Sequence, residues 1–249
     1  MTNKYKYFIA NWKMYGNSNS IKSLSTVISF IKKFKYFKFK IVYCPPYTLL
    51  KQFSDNLKNS SIDIGAQNCH FEDNSGPFTG SVSSKMLKEI GCDYVIIGHS
   101  ENRKVRETDL LINKKIKSAI RNNLKVIFCI GESLKQKRQK MTNRVLEKQI
   151  KIGLKNIKNK KIIIAYEPIW SIGTGVIPIS SELEKNINFI KKIMRQNFKK
   201  LSCKILYGGS VSPNNIKNLK NIDSIDGFLI GGASQNPNKF IDIIKKTYN

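Results

Sequence analysis

The residues best suited to chemistry are a glutamate, a histidine and a lysine, each close to an apolar run of the chain. Glu167 follows the run IIIAY and precedes Pro168, and Trp170 comes shortly after. Burial beside these residues should raise the pKa of the carboxyl group, which suits a general base that removes a carbon-bound proton. Taken alone, Glu167 is better explained as a hydrogen-bonded structural carboxylate at the end of a strand.

His99, Lys13 and several Gly-Gly pairs also have a structural explanation when each is considered alone. His99 could be a buried, hydrogen-bonded histidine or the neighbour of a helix N-cap, and Lys13 could be one of many surface lysines. A Gly-Gly pair is by default an ordinary turn between a strand and a helix. A functional interpretation requires that these residues occupy corresponding positions in one repeated unit.

Eight short apolar runs alternate with longer segments along the chain. Several of the runs are almost continuously hydrophobic, which is typical of parallel strands buried on both faces. The predicted strands are 7–12, 40–44, 62–67, 93–99, 125–131, 161–167, 204–209 and 226–232.

Two of the intervening segments have a clear helical period. Residues 109–121 and 182–199 each place their apolar side chains on one stripe, and Lys114 and Lys115 lie off it. Eight strand–helix units without a Pro/Gly/Ser-rich linker predict one α/β domain over residues 1–249. Eight is also the number of strands that closes a (β/α)8 barrel, with an open, doubly wound sheet as the alternative.

Polar residues and glycines follow the C-terminal ends of these strands. In a barrel, that end carries the catalytic and binding loops. So many strands ending in this way is hard to attribute to chance, and it favours a functional site there. The residues are Asn11, Lys13, Gln67, Asn68, His99, Glu101, Gly131, Glu132, Glu167, Gly208, Gly209, Ser210, Gly231, Gly232 and Ser234.

Short motifs in the same order resemble those of the triosephosphate isomerase family. They are ANWKM (10–14), GAQN (65–68), GPFTG (76–80), GHSEN (98–102), CIGE (129–132), AYEPIWSIGTG (165–175), YGGSV (207–211) and GGAS (231–234). The resemblance spans the chain from the first strand to the last, and AYEPIWSIGTG together with GHSE is highly specific. It implies a TIM barrel and the cofactor-free interconversion of dihydroxyacetone phosphate and glyceraldehyde 3-phosphate.

The resemblance also implies a role for each polar residue. Glu167 is the base, and His99 is a neutral imidazole that donates to the enediolate oxygen and shuttles a proton. Lys13 supplies positive charge to the same oxygens and to the phosphate, and Asn11 donates to a substrate oxygen. Glu101 orients Lys13, although a plain structural ion pair is about as plausible.

The substrate phosphate needs N–H donors on a backbone that can approach it closely. The resemblance assigns this cradle to Gly173, Ser210, Gly231 and Gly232. Residues 168–178 resemble the family's mobile lid, which closes over the substrate and excludes water.

Four departures from the family's pattern affect the surroundings of the site. Asn102 stands where an arginine is usual, Pro77 replaces an alanine, and Tyr15 replaces a common asparagine. The second hinge of the lid reads VIP at 176–178. Pro178 has no N–H to donate to the Tyr207 hydroxyl, so that hydroxyl must have another partner or water.

The composition limits the class of protein and its location. With 41% hydrophobic residues and no apolar run of membrane-spanning length, we expect a folded cytoplasmic protein that makes no membrane contact. The 44 Lys and Arg against 17 Asp and Glu give a net charge of +27. A nucleic-acid partner is one interpretation, but no binding motif accompanies the charge. A solvated basic surface that attracts small anions fits better.

The spacing of His and Cys predicts neither a metal site nor a disulfide framework. His70 and His99 belong to separate units, and the five cysteines are scattered without a CxxC pair. No metal or organic cofactor is therefore expected.

The predicted loop 67–80 carries Phe71 and Phe78, which are unsuited to exposure in water. The resemblance implies that the loop tip enters a second subunit near Asn11 and Lys13, which gives a homodimer. Two other classes of protein compete with this interpretation. One is another barrel enzyme for a phosphorylated metabolite, and the other is a polyanion-binding barrel without activity.

Overall fold

The predicted strands form a closed barrel in which every neighbouring pair is parallel. The computed structural model of the protein describes residues 4–34, 38–158, 162–198 and 203–249. The strands are β1 (Lys6–Asn11), β2 (Phe39–Cys44), β3 (Asp63–Ala66), β4 (Tyr94–Ile97), β5 (Lys125–Ile130), β6 (Ile162–Tyr166), β7 (Cys203–Tyr207) and β8 (Gly227–Ile230). Each strand pairs with the next, and β8 pairs with β1. This arrangement confirms the (β/α)8 barrel and excludes the open sheet.

Most strands end one or two residues before the predicted runs do, whereas β2 ends at Cys44 as predicted. β3 ends at Ala66 and β4 at Ile97, so Gln67 and His99 follow the strands. The Gln67 side chain donates to the carbonyls of Lys13 and Cys44, and His99 caps α4. The sixth run is predicted from position 161, which lies outside the described residues, and β6 begins at Ile162.

Helices connect the strands on the outside of the barrel. They are α1 (Ser23–Lys33), α2 (Tyr47–Leu57), α3 (Ser84–Glu89), α4 (Ser100–Lys104), α5 (Asp109–Arg121), α6 (Leu134–Arg138), α7 (Thr142–Gly153), α8 (Ser180–Asn197), α9 (Ile216–Lys220) and α10 (Pro237–Tyr248), with 3-10 turns at Ser18–Lys22, Ile169–Ser171 and Gly232–Gln235. α5 and α8 correspond to the two predicted amphipathic segments. Position 199 of the second segment lies outside the described residues.

Lys115 departs from the expectation that the lysines of α5 lie away from buried surface. It is 8% exposed, and its ammonium group contacts Glu107 and the Asn68 side chain. A lysine is tolerated in such a place when an opposite charge and hydrogen bonds compensate for lost hydration. The group ties α5 to the start of loop 67–80.

Apolar side chains fill the barrel and a second layer between strands and helices. Ile9, Ile96, Ile127 and Leu206 belong to the inner cluster, whereas the larger outer cluster packs the strands against the helices. The interior is therefore a packed core. Within the described ranges, no helix combines the length and hydropathy needed to cross a membrane.

Candidate active site

Glu167 follows β6 directly, and two glycines let neighbouring strands approach it. Its backbone N–H donates to the Ile130 carbonyl at 2.7 Å, and the residue is 1% exposed. A Cβ at position 131 would overlap the Glu167 carbonyl oxygen, and a Cβ at position 208 would lie 2.8 Å from the Glu167 Cγ. Gly131 and Gly208 therefore allow a carboxylate to be packed inside the end of the barrel.

The carboxylate of Glu167 lies against His99 and the first turn of α4. Its Oε2 accepts a hydrogen bond from the Ser100 N–H at 3.2 Å, and its Oε1 lies 3.2 Å from His99 Nε2. The second contact lacks hydrogen-bond alignment, so Oε1 has no aligned donor among the residues that the structure describes. Oε1 is therefore the carboxylate oxygen that is free to accept a further hydrogen bond.

His99 caps α4 with its side chain, and this contact selects the tautomer of its neutral imidazole. Nδ1 accepts a hydrogen bond from the Glu101 N–H at 3.3 Å. A ring nitrogen that accepts a hydrogen bond carries no proton, so the neutral imidazole carries its proton on Nε2. Nε2 is therefore a donor beside the Glu167 carboxylate.

Burial raises the pKa of Glu167 above its ordinary value, because almost no water reaches the carboxylate. His99, the Ser100 N–H and Lys13 favour the charged form but do not cancel this effect. A raised pKa makes the carboxylate a stronger base for a carbon-bound proton.

Lys13 follows β1 in the left-handed backbone region, with φ of 58°. Its carbonyl accepts a hydrogen bond from Gln67 Nε2 at 2.8 Å, and its N–H donates to Asn11 Oδ1 at 3.2 Å. Its Nζ lies 2.6 Å from Glu101 Oε1. Although burial opposes the charged form of Glu101, the Lys13 ammonium lowers the pKa of this carboxyl group, so it stays ionised at neutral pH. These contacts maintain an unfavourable backbone conformation and direct Lys13 into the site.

One cavity of about 410 Å³ at this end of the barrel brings together nearly all the predicted site residues. The predicted residues on its walls are Asn11, Lys13, His99, Glu167, Gly173, Ser210, Gly231 and Gly232. Glu101 lies outside it, behind Lys13, on an adjoining cavity of about 220 Å³. The wall of the first cavity therefore combines acid–base side chains with glycine-rich backbone.

The first part of segment 168–178, which is predicted to be the lid, is attached to the barrel through Trp170. Its indole N–H donates to Glu132 Oε1 at 2.9 Å, and the Tyr166 hydroxyl donates to Oε2 of the same carboxylate at 3.1 Å. Lys137 Nζ lies 3.8 Å from the Trp170 ring centroid. Sequence reasoning placed Glu132 at a strand end and assigned it no role, because the CIGE motif does not reveal its partners.

Ser171 is the lid partner of Tyr207. Its hydroxyl donates to the Val176 carbonyl at 2.6 Å, accepts the Tyr207 hydroxyl at 2.9 Å and accepts the Ser210 N–H at 3.4 Å. The partner that Tyr207 requires in place of the Pro178 N–H is thus a side chain of the lid itself. No local pattern pointed to Ser171, since serine is common in loops.

Loop 67–80 packs its aromatic residues on one another. The His70 ring centroid lies 4.3 Å from Phe71 and 4.4 Å from Phe78, and Phe78 remains 38% exposed. Met14 and Tyr15, which follow Lys13 in the chain, are 92% and 60% exposed. Large apolar side chains are therefore exposed both in loop 67–80 and next to Lys13.

The described part of the chain contains no cluster of His, Cys, Asp and Glu that could hold a metal ion. The barrel, its buried carboxylate–imidazole pair and its glycine-lined cavity define a (β/α)8 enzyme with acid–base chemistry for a small anionic substrate.

Comparison with known proteins identifies the family. The family model described as Triosephosphate isomerase matches residues 6–247. A triosephosphate isomerase of Clostridium tetani is 42% identical over 241 residues, covering 94% of this chain and 93% of the relative. That of Dictyoglomus thermophilum is 42% identical over 252 residues, covering 96% and 98%.

A solved structure agrees with these relatives. The crystal structure of triosephosphate isomerase from Bartonella henselae superposes with a TM-score of 0.87 at 35% identity, covering 98% of this chain and 99% of the other. The chain belongs to the triosephosphate isomerase family.

Proposed function

We propose that the chain interconverts dihydroxyacetone phosphate and glyceraldehyde 3-phosphate through an enediolate, with Glu167 as base and His99 as electrophile. The observation that carries the proposal is the buried Glu167 Oε1, 3.2 Å from Nε2 of His99. Glu167 removes a proton from one carbon and returns it to the neighbouring carbon. His99 Nε2–H donates to the developing oxyanion and passes its proton between the two substrate oxygens.

Lys13 and Asn11 complete the polar side of the reaction. Both line the cavity, and the Lys13 ammonium adds positive charge where the enediolate and the phosphate carry negative charge. Glu101 acts as a positioning residue, because it contacts the Lys13 ammonium at 2.6 Å but does not line the main cavity.

Gly173, Ser210, Gly231 and Gly232 form the phosphate end. Their common place on the cavity wall supports this assignment, since glycine-rich backbone can bring N–H groups close to an anion. Residues 168–178 act as the lid, and their attachment through Trp170 and Ser171 leaves Gly173 exposed between the hinges. Closure over the phosphate excludes water from the enediolate.

The active form is a homodimer through loop 67–80, and the protein works in the cytoplasm. Exposed Phe78, Met14 and Tyr15 support an interface beside the site, as large exposed apolar groups favour association. The net charge of +27 opposes pairing, so monomers are favoured most at low salt. Sedimentation velocity at micromolar concentration should show a dimer, and an active monomer would contradict this proposal.

Proton NMR in D₂O without added metal or nucleotide tests the function directly. The protein should convert dihydroxyacetone phosphate to glyceraldehyde 3-phosphate and introduce deuterium at carbon, because the base exchanges its proton with solvent. A folded Glu167→Gln variant should do neither. Folded wild-type protein without conversion would rule the function out.

A further inference from the structure

Two lysines contribute to the wall of the main cavity, and their charges are compensated differently. Lys13 Nζ lies 2.6 Å from a Glu101 oxygen, so its charge is already balanced. Lys239 lines the same cavity and follows Gly231 and Gly232, two other wall residues, in the chain. Across the described ranges, no carboxylate forms an ion pair or hydrogen bond with its ammonium group.

The place of Lys239 in the chain is unfavourable for a cation. It lies in the first turn of α10, where Asn236 caps the helix and its side chain accepts the Lys239 N–H at 3.0 Å. The N-terminus of a helix carries a partial positive charge, so lysine there is less stable than a neutral or acidic residue. This cost is offset if an anion occupies the adjoining cavity.

The charge balance of the site indicates which anion. Glu101 balances Lys13, and Glu167 must be ionised to act as the base. Without Lys239, the ionised side chains around the cavity would carry a net negative charge against a phosphate monoester dianion. Lys239 lies on the wall of this cavity, and its positive charge opposes this repulsion.

We propose that Lys239 is a further substrate-binding side chain, which supplies positive charge to the phosphate of the bound triose phosphate. The inference rests on the proposed phosphate end of the site and adds a side chain to its backbone donors. Lys239 acts on binding and does not take part in proton transfer, since the acid–base pair consists of Glu167, which follows β6, and His99, which caps α4.

The test compares Lys239→Gln with Lys148→Gln at low ionic strength. Lys148 is exposed on α7 and lines none of the cavities described above. Lys148→Gln therefore has the same net charge as Lys239→Gln but leaves the residues of the cavity wall unchanged. Lys239→Gln should raise KM for glyceraldehyde 3-phosphate and the Kd of inorganic phosphate about threefold, with kcat within about twofold. Lys239→Glu should raise both about tenfold, and Lys148→Gln should change neither.

The outcomes separate this inference from the proposed function. Equal effects of Lys239→Gln and Lys148→Gln would assign the result to overall charge and overturn the proposal, as would no effect of either. A change in kcat for phosphate-free glyceraldehyde would also overturn it, because a phosphate contact cannot act on that substrate. Calorimetric titration with inorganic phosphate needs no turnover, so it tests Lys239 even if isomerisation is absent.

Discussion

The barrel side and the lid side of the cavity are built in different ways. On the barrel side, Glu167 and His99 are 1% and 5% exposed, and each accepts a backbone N–H of α4. On the lid side, Val176 is 55% exposed, and Gly173 has φ of 72°, with open space where a Cβ would point. The proposed proton-transfer groups are the most constrained, and the proposed phosphate contact on the lid is the least constrained.

This difference matches two physical requirements. Proton transfer depends on short distances between donor and acceptor, which a packed strand end can hold. Substrate access requires a segment that opens at low cost, and few buried contacts allow that. The lid is therefore attached near its first hinge, through Trp170 and Ser171, and left open in its middle. Substitutions on the two sides should differ in size and in the step that they affect.

The largest expected effect comes from a substitution on the barrel side of the cavity. Glu167→Asp should reduce kcat about 100-fold with little change in KM, because the carboxylate retracts by about 1 Å from the reacting carbon. Steady-state kinetics and thermal unfolding of the same preparation check this result. Near-native kcat would remove Glu167 from the role of base.

Lys13→Ala should have the next largest effect. Loss of an ammonium that acts on both the enediolate and the phosphate should lower kcat/KM at least about tenfold and weaken the binding of a phosphate analogue. Lys148→Ala is the control for net charge and should behave like the wild type. Unchanged analogue affinity in Lys13→Ala would make this lysine a structural residue.

Substitutions on the lid side of the cavity should reduce kcat/KM less than substitutions on the barrel side. Ser171→Ala removes one donated and two accepted hydrogen bonds, and we expect a loss of about fivefold in kcat/KM. Tyr207→Phe removes only the bond to Ser171 and should cost less than about threefold. The double variant should match Ser171→Ala, because both changes remove the same bond.

A loss of about tenfold in Tyr207→Phe would contradict this description of the lid. It would mean that Tyr207 has a hydrogen-bond partner other than Ser171 when the lid is closed. Additive effects in the double variant would lead to the same conclusion.

The smallest expected effect is on the stability of the fold and its dependence on pH. Burial raises the pKa of Glu167, so the folded protein binds more protons than the unfolded chain between the ordinary and the raised pKa. Stability from this group therefore falls as pH rises through that window. Glu167→Gln should raise Tm at about pH 7.5 by about 2–4 °C, and the gain should vanish near about pH 4.

Glu184→Gln is the matched control, because Glu184 is exposed on α8. It should leave Tm unchanged at both pH values. A lower Tm for Glu167→Gln than for the wild type at the higher pH would show that burial of the ionised carboxylate does not destabilise the fold.

Much of the fold follows from local sequence. The run IIIAY is buried on both faces of a parallel strand, and Pro168 then stops regular pairing beside Glu167. The C-terminal ends of parallel strands meet at one end of a barrel. Knowing that the strands are parallel was therefore enough to predict that Lys13, His99 and Glu167 lie at that end. Lys115 shows the limit of prediction from local sequence, because the apolar periodicity of α5 did not reveal the Glu107 carboxylate beside this lysine.

Local sequence was sufficient to predict the eight strands, the end of the barrel that carries the site and the residue types gathered there. The pairing of those groups with one another could be learned only from the folded chain. Ser171 meets Tyr207 across 36 positions and Lys13 meets Glu101 across 88, while Lys239 reaches the cavity from the last helix. Apolar periodicity is a local property of the chain, whereas these contacts exist only once closure of the barrel fixes the distances between separate loops.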